Sequence, residues 1–216
     1  MINLKIHRHA KIADAQKSSA LNEKTIVTDM MLRRRLTRNA RVTLYLADQI
    51  GGWESAIVIG NGYGEVSETY DILKALYTKS SLSPTAFQNS VHNTPASYLS
   101  IVAQNRGYIT TVSDLNDTAL SVLKVGALKS LQYPLMALMV TDSIHFERID
   151  EINSCGIEFQ ESGAALLVSP TSEAATIALR GKSYPGYAPT LWPMLDIIEQ
   201  SEALSSDVEA IISINI

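Results

Sequence analysis

Residues 85–131, TAFQNSVHNTPASYLSIVAQNRGYITTVSDLNDTALSVLKVGALKSL, decide how the chain is read. They describe a loop, a helix, a short strand over 108–113 and a second, mostly apolar helix. Thr94 followed by Pro95 is a helix-start signal, with threonine as N-cap and proline at the first helical position. Tyr98, Ile101 and Val102 supply that helix with an apolar face, and Gly107 is expected to end it. Ile109, Thr110, Thr111 and Val112 are β-branched and favour a strand. At the junction with the second helix stand Ser113, Asp114, Asn116 and Asp117. In many α/β enzymes such a junction presents a nucleophile, yet it holds no cysteine and has no Gly-x-Ser-x-Gly nearby. His92 precedes the first helix as a lone histidine with no second ligand at metal-binding spacing, which reads as a capping or packing residue.

The second helix carries Leu120, Leu123, Ala127, Leu128 and Leu131 at helical spacing, with Val122 and Val125 off that line. It is apolar over most of its circumference and so is expected to be buried on more than one side. Gly126 in its interior costs about 1 kcal/mol against alanine, and close approach of another helix is the expected compensation.

Towards the N-terminus, Ile2, Leu4 and Ile6 alternate with polar residues as in a strand. Residues 14–24 read as a surface loop. Thr28 and Asp29 offer caps for a single helix from Met30 to a stop at Gly51-Gly52. Its arginines, Arg33, Arg34, Arg35, Arg38 and Arg41, form the chain's basic cluster. They suit either a solvated helix face over the core or a docking patch for an acidic partner. The apolar run at 55–60 reads as a buried strand. The following Gly60-Asn61-Gly62-Tyr63-Gly64 fits no phosphate-binding fingerprint, because Glu65 stands where a third glycine is needed and no Gly-Lys-Ser/Thr occurs. Those glycines let the chain leave the sheet. A helix is expected over 65–77, then a serine-rich loop.

Towards the C-terminus, Leu135, Met136, Ala137, Leu138, Met139 and Val140 form a continuous apolar run, as in a central strand. A mixed connection over 145–155, possible pairing at 157–160 and a strand over 164–168 ended by Pro170 follow. Residues 180–193 form a Pro/Gly/Tyr loop, followed by a helix from Met194 and a terminal apolar segment at 210–216. Strands alternate with helices, so the class is α/β with a parallel or mixed sheet.

At 216 residues and 46% hydrophobic, the chain suits one domain with a sizeable core, residues 171–216 forming a divergent tail. The net charge of −4 argues against a nucleic-acid partner. The single cysteine, Cys155, makes neither an internal disulfide nor a cysteine-rich zinc site, and no cofactor or metal is expected. No run approaches the ~20 apolar residues of a membrane span, and the N-terminus lacks the apolar stretch of a secretory signal. A cytoplasmic location is expected.

Four blocks carry a resemblance: MLRRRLTRNARVTLYLAD (31–48), SAIVIGNGYGE (55–65), FQNSVHNTPASYLSIVAQNRG (87–107) and YITTVSDLNDTALSVL (108–123). Together they resemble the N-terminal half of a β-ketoacyl synthase. More narrowly, they resemble the short, chain-length-factor-like ketosynthase relatives of aryl polyene-type biosynthesis. The similarity runs over residues 30–168. It implies half of a thiolase fold, a mixed sheet with a buried central helix and helices on its faces. The family's nucleophilic cysteine begins that buried helix, and its histidines come from a second half without counterpart here; His7, His9 and His145 match none of its motifs. Laid on the strand–cysteine–helix pattern, the cysteine position falls on Asn116. An amide has no accessible anion at neutral pH and does not exchange thioesters.

The resemblance therefore implies a non-catalytic subunit. Its expected partners are a full-length β-ketoacyl synthase, as a heterodimer, and an acyl carrier protein. The family's strand before the nucleophile pairs across the dimer axis, which nominates Phe87, Asn89, Tyr98, Tyr108, Ile109, Thr110, Thr111, Val112 and Ser113 for the interface. Arg33, Arg34 and Arg38 are nominated for carrier docking. Either the 171–216 tail or another protein is expected to cover the apolar second helix. Two enzymatic alternatives remain: a malonyl-carrier decarboxylase in which Asn116 polarises a thioester carbonyl, and a hydrolase using Asp114, Asp117 and His92.

Overall fold

The computed structural model describes residues 1–14, 21–144 and 161–216. Among them lie six strands: β1 (Ile2–Ile12), β2 (Ala56–Gly60), β3 (Ile109–Val112), β4 (Met136–Ser143), β5 (Glu161–Thr171) and β6 (Ile211–Ile214). Eight helices accompany them: α1 (Glu23–Ile26), α2 (Met30–Arg33), α3 (Arg38–Ile50), α4 (Val66–Tyr77), α5 (Pro84–Asn89), α6 (Thr94–Ala103), α7 (Thr118–Ser130) and α8 (Trp192–Ala203). The strands form one mixed sheet in the order β3-β2-β4-β5-β1-β6. β2 runs parallel to β3 and β4, and the β4–β5, β5–β1 and β1–β6 pairs are antiparallel.

Side chains alternate between two cores, as the strand period of two requires. Val58, Leu138, Val140, Leu166 and Val168 face α7 and α8. Ile57, Ile59, Met139, Ala165 and Leu167 face α3 and α6. This three-layer packing explains why β2 and β4 read as unbroken apolar runs, since every residue of both is buried.

The tail is part of this body. β6 extends the sheet beyond β1, and α8 buries Met194, Leu195, Ile197 and Ile198 in the same core as Ala119, Val122, Leu123 and Ala127 of α7. The chain's own tail thus covers one flank of α7. Leu128 and Leu131 remain exposed on the other. The outer edge of β6 is partly masked by the Ile177–Ile212 bridge. β3, at the opposite end, is the open edge among the described strands.

Several sequence expectations are corrected. The helix expected from Met30 to Gly51 is two, because Thr37 leaves helical geometry and accepts the Ala40 N–H at 3.1 Å to cap a fresh helix, α3. Asp29 caps the short α2 and Gly51, at φ +64, stops α3. The serine-rich loop leads into α5, capped by Ser83. Asn93, not Thr94, stands at the N-cap position of α6, with no side-chain capping bond, and the Thr94 hydroxyl donates to the Asn89 carbonyl at 3.0 Å. Gln104 in the left-handed region, not Gly107, ends it. Gly126 is needed for close approach to a strand rather than a helix, since a Cβ there would lie 2.4 Å from Leu138 Cδ2. Pro170 does not end β5. It sits opposite Leu4 of β1, beyond the last β4 pairing at Val168, where a missing N–H breaks no β4 bond. The connection expected at 145–155, Cys155, and the pairing at 157–160 lie outside the described residues.

Candidate functional site

The strand–turn–helix junction is built as its sequence suggests, with one added turn. Between β3 and α7, Leu115–Asp117 forms a single 3-10 turn. Thr118 locks it, accepting the Asp114 N–H at 3.0 Å and donating to the Leu115 carbonyl at 2.7 Å. Ser121 donates to Asp114 Oδ2 at 2.6 Å. Leu115 is held at φ +45 while 72% exposed, a conformation that costs a β-carbon-bearing residue free energy and here presents the next residue, Asn116, to solvent.

Facing this turn are the residues that leave β2. Gly62 admits no side chain, because a Cβ would lie 2.7 Å from the Leu115 carbonyl oxygen and 2.4 Å from Thr190 Cγ2. Tyr63 reaches across, its hydroxyl donating to Asn116 Oδ1 at 3.4 Å. That contact turns the amide oxygen toward Tyr63, and the amide N–H groups remain donors. Burial and the nearby Asp142 raise the Tyr63 phenol above its usual range, so it stays protonated as a donor.

Behind the turn, Asp142 at the carboxyl end of β4 is fully buried. Its carboxylate accepts from Gly62 N at 3.1 Å, Tyr63 N at 2.9 Å and Thr190 Oγ1 at 2.5 Å. Burial pushes its pKa up to about 6, opposed by these three bonds. Asp142 therefore ties three segments distant in sequence: the β2 exit, β4 and the tail. On the other side of the glycine loop, Asn61 is buried and bonded twice to His92, its Nδ2 donating to the His92 carbonyl at 2.7 Å and its Oδ1 accepting from His92 Nδ1 at 2.5 Å. His92 is thus exposed and held by Asn61, and Asp114 is held by Ser121.

The nominated interface residues divide. Asn89 and Tyr98 are buried at 4% and 8% exposure in the chain's own packing, the Tyr98 hydroxyl donating to the Arg35 carbonyl at 2.8 Å and contacting Asn89 Oδ1 at 3.0 Å. Phe87 is 70% exposed. Tyr108 stacks on Tyr133 at 5.2 Å with the Lys129 ammonium 5.0 Å from its ring. Ile109, Thr110, Thr111 and Val112 are half-buried along the edge strand, and Ser113 is exposed. The N–H groups of Ile57 and Asn61 bond to the Tyr108 and Val112 carbonyls. In a parallel ladder Tyr108, Thr110 and Val112 then turn their backbone groups to β2, and Ile109, Thr111 and Ser113 turn theirs outward.

The arginines divide too. Arg33 donates to the Val27 and Thr28 carbonyls at 2.6 and 2.9 Å. Arg38 forms a bidentate pair with the buried Glu161 carboxylate at 2.5 and 2.9 Å, and Arg41 pairs with Glu23. Arg34 and Arg35 are exposed along an open groove of about 360 Å³, opposite Glu68 and Asp71.

Asp142 and Thr190 are site residues that the sequence reading missed. The one signal for Asp142 was an acid two residues after an unbroken apolar strand. Nothing local marked Thr190.

The architecture is a mixed α/β fold of the ketosynthase-like half-thiolase kind. The β-ketoacyl synthase N-terminal domain sequence model matches residues 7–150, most of the chain, and the chain belongs to that family. No protein of curated function matches it. Among solved structures it is similar to a chain of the ketosynthase ApeO in complex with its chain length factor ApeC from Xenorhabdus doucetiae. The TM-score is 0.65 and the identity 18%, over 90% of this chain and 92% of that one. It is similar also to the ishigamide ketosynthase/chain length factor, with TM-score 0.63 and 12% identity over 81% of this chain and 63% of that one. A third likeness is to AntDE:AntF, a type II polyketide synthase acyl-carrier protein in complex with its ketosynthase, with TM-score 0.63 and 11% identity over 78% and 63%. At these identities the likeness is one of fold. Among the described residues, no helix is long and apolar enough to cross a membrane.

Proposed function

We propose that this chain is a non-catalytic, chain-length-factor-like subunit. In this reading it pairs with an active β-ketoacyl synthase and helps shape the space in which a carrier-bound polyene or polyketide chain is elongated. The observation that carries the reading is Asn116. The turn, its strained Leu115 and the following helix are those of a nucleophile-presenting junction, and the side chain presented cannot attack a thioester. The open edge of β3 supports the pairing, because an uncovered strand edge exposes backbone groups that a partner strand satisfies. Family membership, and the complexes in which the same fold occurs, support a ketosynthase as the partner and an acyl carrier protein as the substrate's vehicle.

The test is co-expression with a ketosynthase from the same gene neighbourhood, co-purification, and an elongation assay with and without this chain. Pairing and chain-dependent elongation are expected, with Asn116→Ala leaving elongation intact. A stable solitary chain that neither binds a ketosynthase nor alters its products would overturn the proposal.

The hydrogen bond from Tyr63 to Asn116 favours one second reading. With its oxygen turned toward Tyr63, the Asn116 amide offers N–H donors that could polarise a thioester carbonyl, as in malonyl-carrier decarboxylation. Release of carbon dioxide from a malonyl carrier, lost in Asn116→Ala, would establish it.

A further inference from the structure

Helix α4 is attached to the body at its ends and not along its length. It follows Gly64, held at φ +63 where a Cβ would lie 2.7 Å from His92 Cε1. At its start, Glu65 accepts from Thr37 Oγ1 at 2.8 Å. Beyond it, Asn89 at the end of α5 donates to the Arg35 carbonyl at 3.0 Å, and the Tyr98 hydroxyl donates to the same carbonyl at 2.8 Å. The Arg35 backbone is thus clamped, while Arg34 and Arg35 stand exposed. Between these anchors no residue of α4 is buried.

The helix is turned the opposite way from an ordinary surface helix, which points its apolar stripe inward. Val66, Tyr70, Leu73 and Tyr77 recur at i, i+4, i+7 and i+11, and Glu68, Asp71, Ile72 and Ala75 lie on the other side. That second side lines the groove of about 360 Å³ and faces Arg34, Arg35 and Leu36. The apolar stripe points away, with Leu73 60% and Tyr77 90% exposed. Apolar burial therefore contributes little to holding α4 over the groove. The attraction across it is that of two carboxylates for two guanidinium groups. Between exposed groups such an attraction is modest and falls with salt.

We infer that α4 is a charge-held strap that masks the arginine groove, Glu68 and Asp71 standing where the carboxylates of an acidic protein partner would stand. A partner docks on Arg34 and Arg35 only by displacing them. The strap thereby sets a threshold, excluding weakly acidic surfaces and admitting a strongly acidic one. That this partner is an acyl carrier protein rests on the function proposed above, whereas the strap is a property of the chain alone.

Two measurements test it, both on the full-length chain or its co-purified complex. Hydrogen–deuterium exchange read by mass spectrometry follows α4 without any partner. Raising sodium chloride from about 50 mM to about 500 mM should speed exchange over 66–77 about threefold. Arg34→Gln combined with Arg35→Gln should give the same acceleration at low salt, although neither arginine belongs to α4. Arg34→Gln alone serves if the double variant fails to fold by circular dichroism. Fluorescence anisotropy then reads docking, with a labelled acyl carrier protein and, separately, labelled poly-L-glutamate as probes. Glu68→Gln combined with Asp71→Asn should tighten both about fivefold at low salt and give no gain at high salt. Asp48→Asn combined with Glu54→Gln, at the far end of α3, makes the same change in net charge and should give no such gain. Exchange over 66–77 that ignores both salt and the arginine substitutions would overturn the strap. So would affinities in Glu68→Gln/Asp71→Asn that match the charge-matched control. Tighter poly-L-glutamate binding with no carrier binding in any form would uphold the strap and overturn the carrier reading instead.

Discussion

Replacing Glu65 by glutamine should remove most of the protein's loss of stability in mild alkali. Glu65 is buried at the start of α4, and its Oε1 accepts from Thr37 Oγ1 at 2.8 Å. Burial pushes its pKa from 4.5 up to about 8, with Glu68 and Asp142 adding to the rise and the Thr37 bond opposing it. The folded pKa lies above the unfolded one, so the folded state holds the proton more tightly. The associated stability is complete below about pH 4.5 and is lost as pH rises through about 8. At 1.36 kcal/mol per pKa unit, the whole effect is about 5 kcal/mol, and about 3.5 kcal/mol of it falls between pH 5 and pH 8. Glutamine keeps a carbonyl oxygen for the Thr37 hydroxyl and carries no charge. Urea unfolding followed by circular dichroism should place Glu65→Gln within about 1 kcal/mol of wild type at pH 5 and about 3.5 kcal/mol above it at pH 8. Asp142 titrates in both proteins, so all but its coupling to Glu65 cancels in the difference. Parallel stability curves for the two proteins across this range would refute the reasoning.

Asp142→Ala leaves two backbone N–H groups and the Thr190 hydroxyl without their acceptor while removing a buried charge. A net loss of about 2–4 kcal/mol is expected in urea unfolding at pH 5, where the carboxyl is largely protonated and little charge relief is available. Thr111→Pro deletes an outward N–H of β3 without touching its ladder to β2, so it should abolish co-purification with a ketosynthase while shifting the melting temperature by only a few degrees. Arg34→Glu combined with Arg35→Glu should lower carrier-dependent elongation with folding intact, measured as a rise in KM for the acyl carrier protein. Arg38→Glu should instead destabilise the chain by about 3 kcal/mol in urea unfolding, because it sets a second carboxylate against buried Glu161. Gly126→Ala should cost about 1–3 kcal/mol by the same measurement, since its Cβ drives into Leu138 in the core.

Much of the fold was legible locally. The apolar runs at 55–60 and 135–140 are buried strands because both sheet faces are covered, and a run with no polar alternation has no other place in a sheet. The junction at 113–118 was legible for the same reason: β-branched residues stop, short polar residues follow, and helical spacing begins. Helix ends were less so. Thr37 and Thr94 are both threonines ahead of a helical run, yet only Thr37 turns its hydroxyl to the helix, because the Asn89 carbonyl claims that of Thr94. The arginine cluster read as one patch and divides in space, since Arg38 reaches Glu161, which lies 123 positions away in the chain.

The sequence by itself determined the alternation of strands and helices, the family, and the amide at position 116, because these depend on residue type and short-range spacing. Tertiary structure alone decided that the tail completes the sheet and roofs α7, and that Asp142 joins the glycine loop to Thr190. Each of those depends on groups far apart in sequence being brought within hydrogen-bond or van der Waals range, and no local pattern encodes which distant partner a buried carboxylate or a leucine will meet.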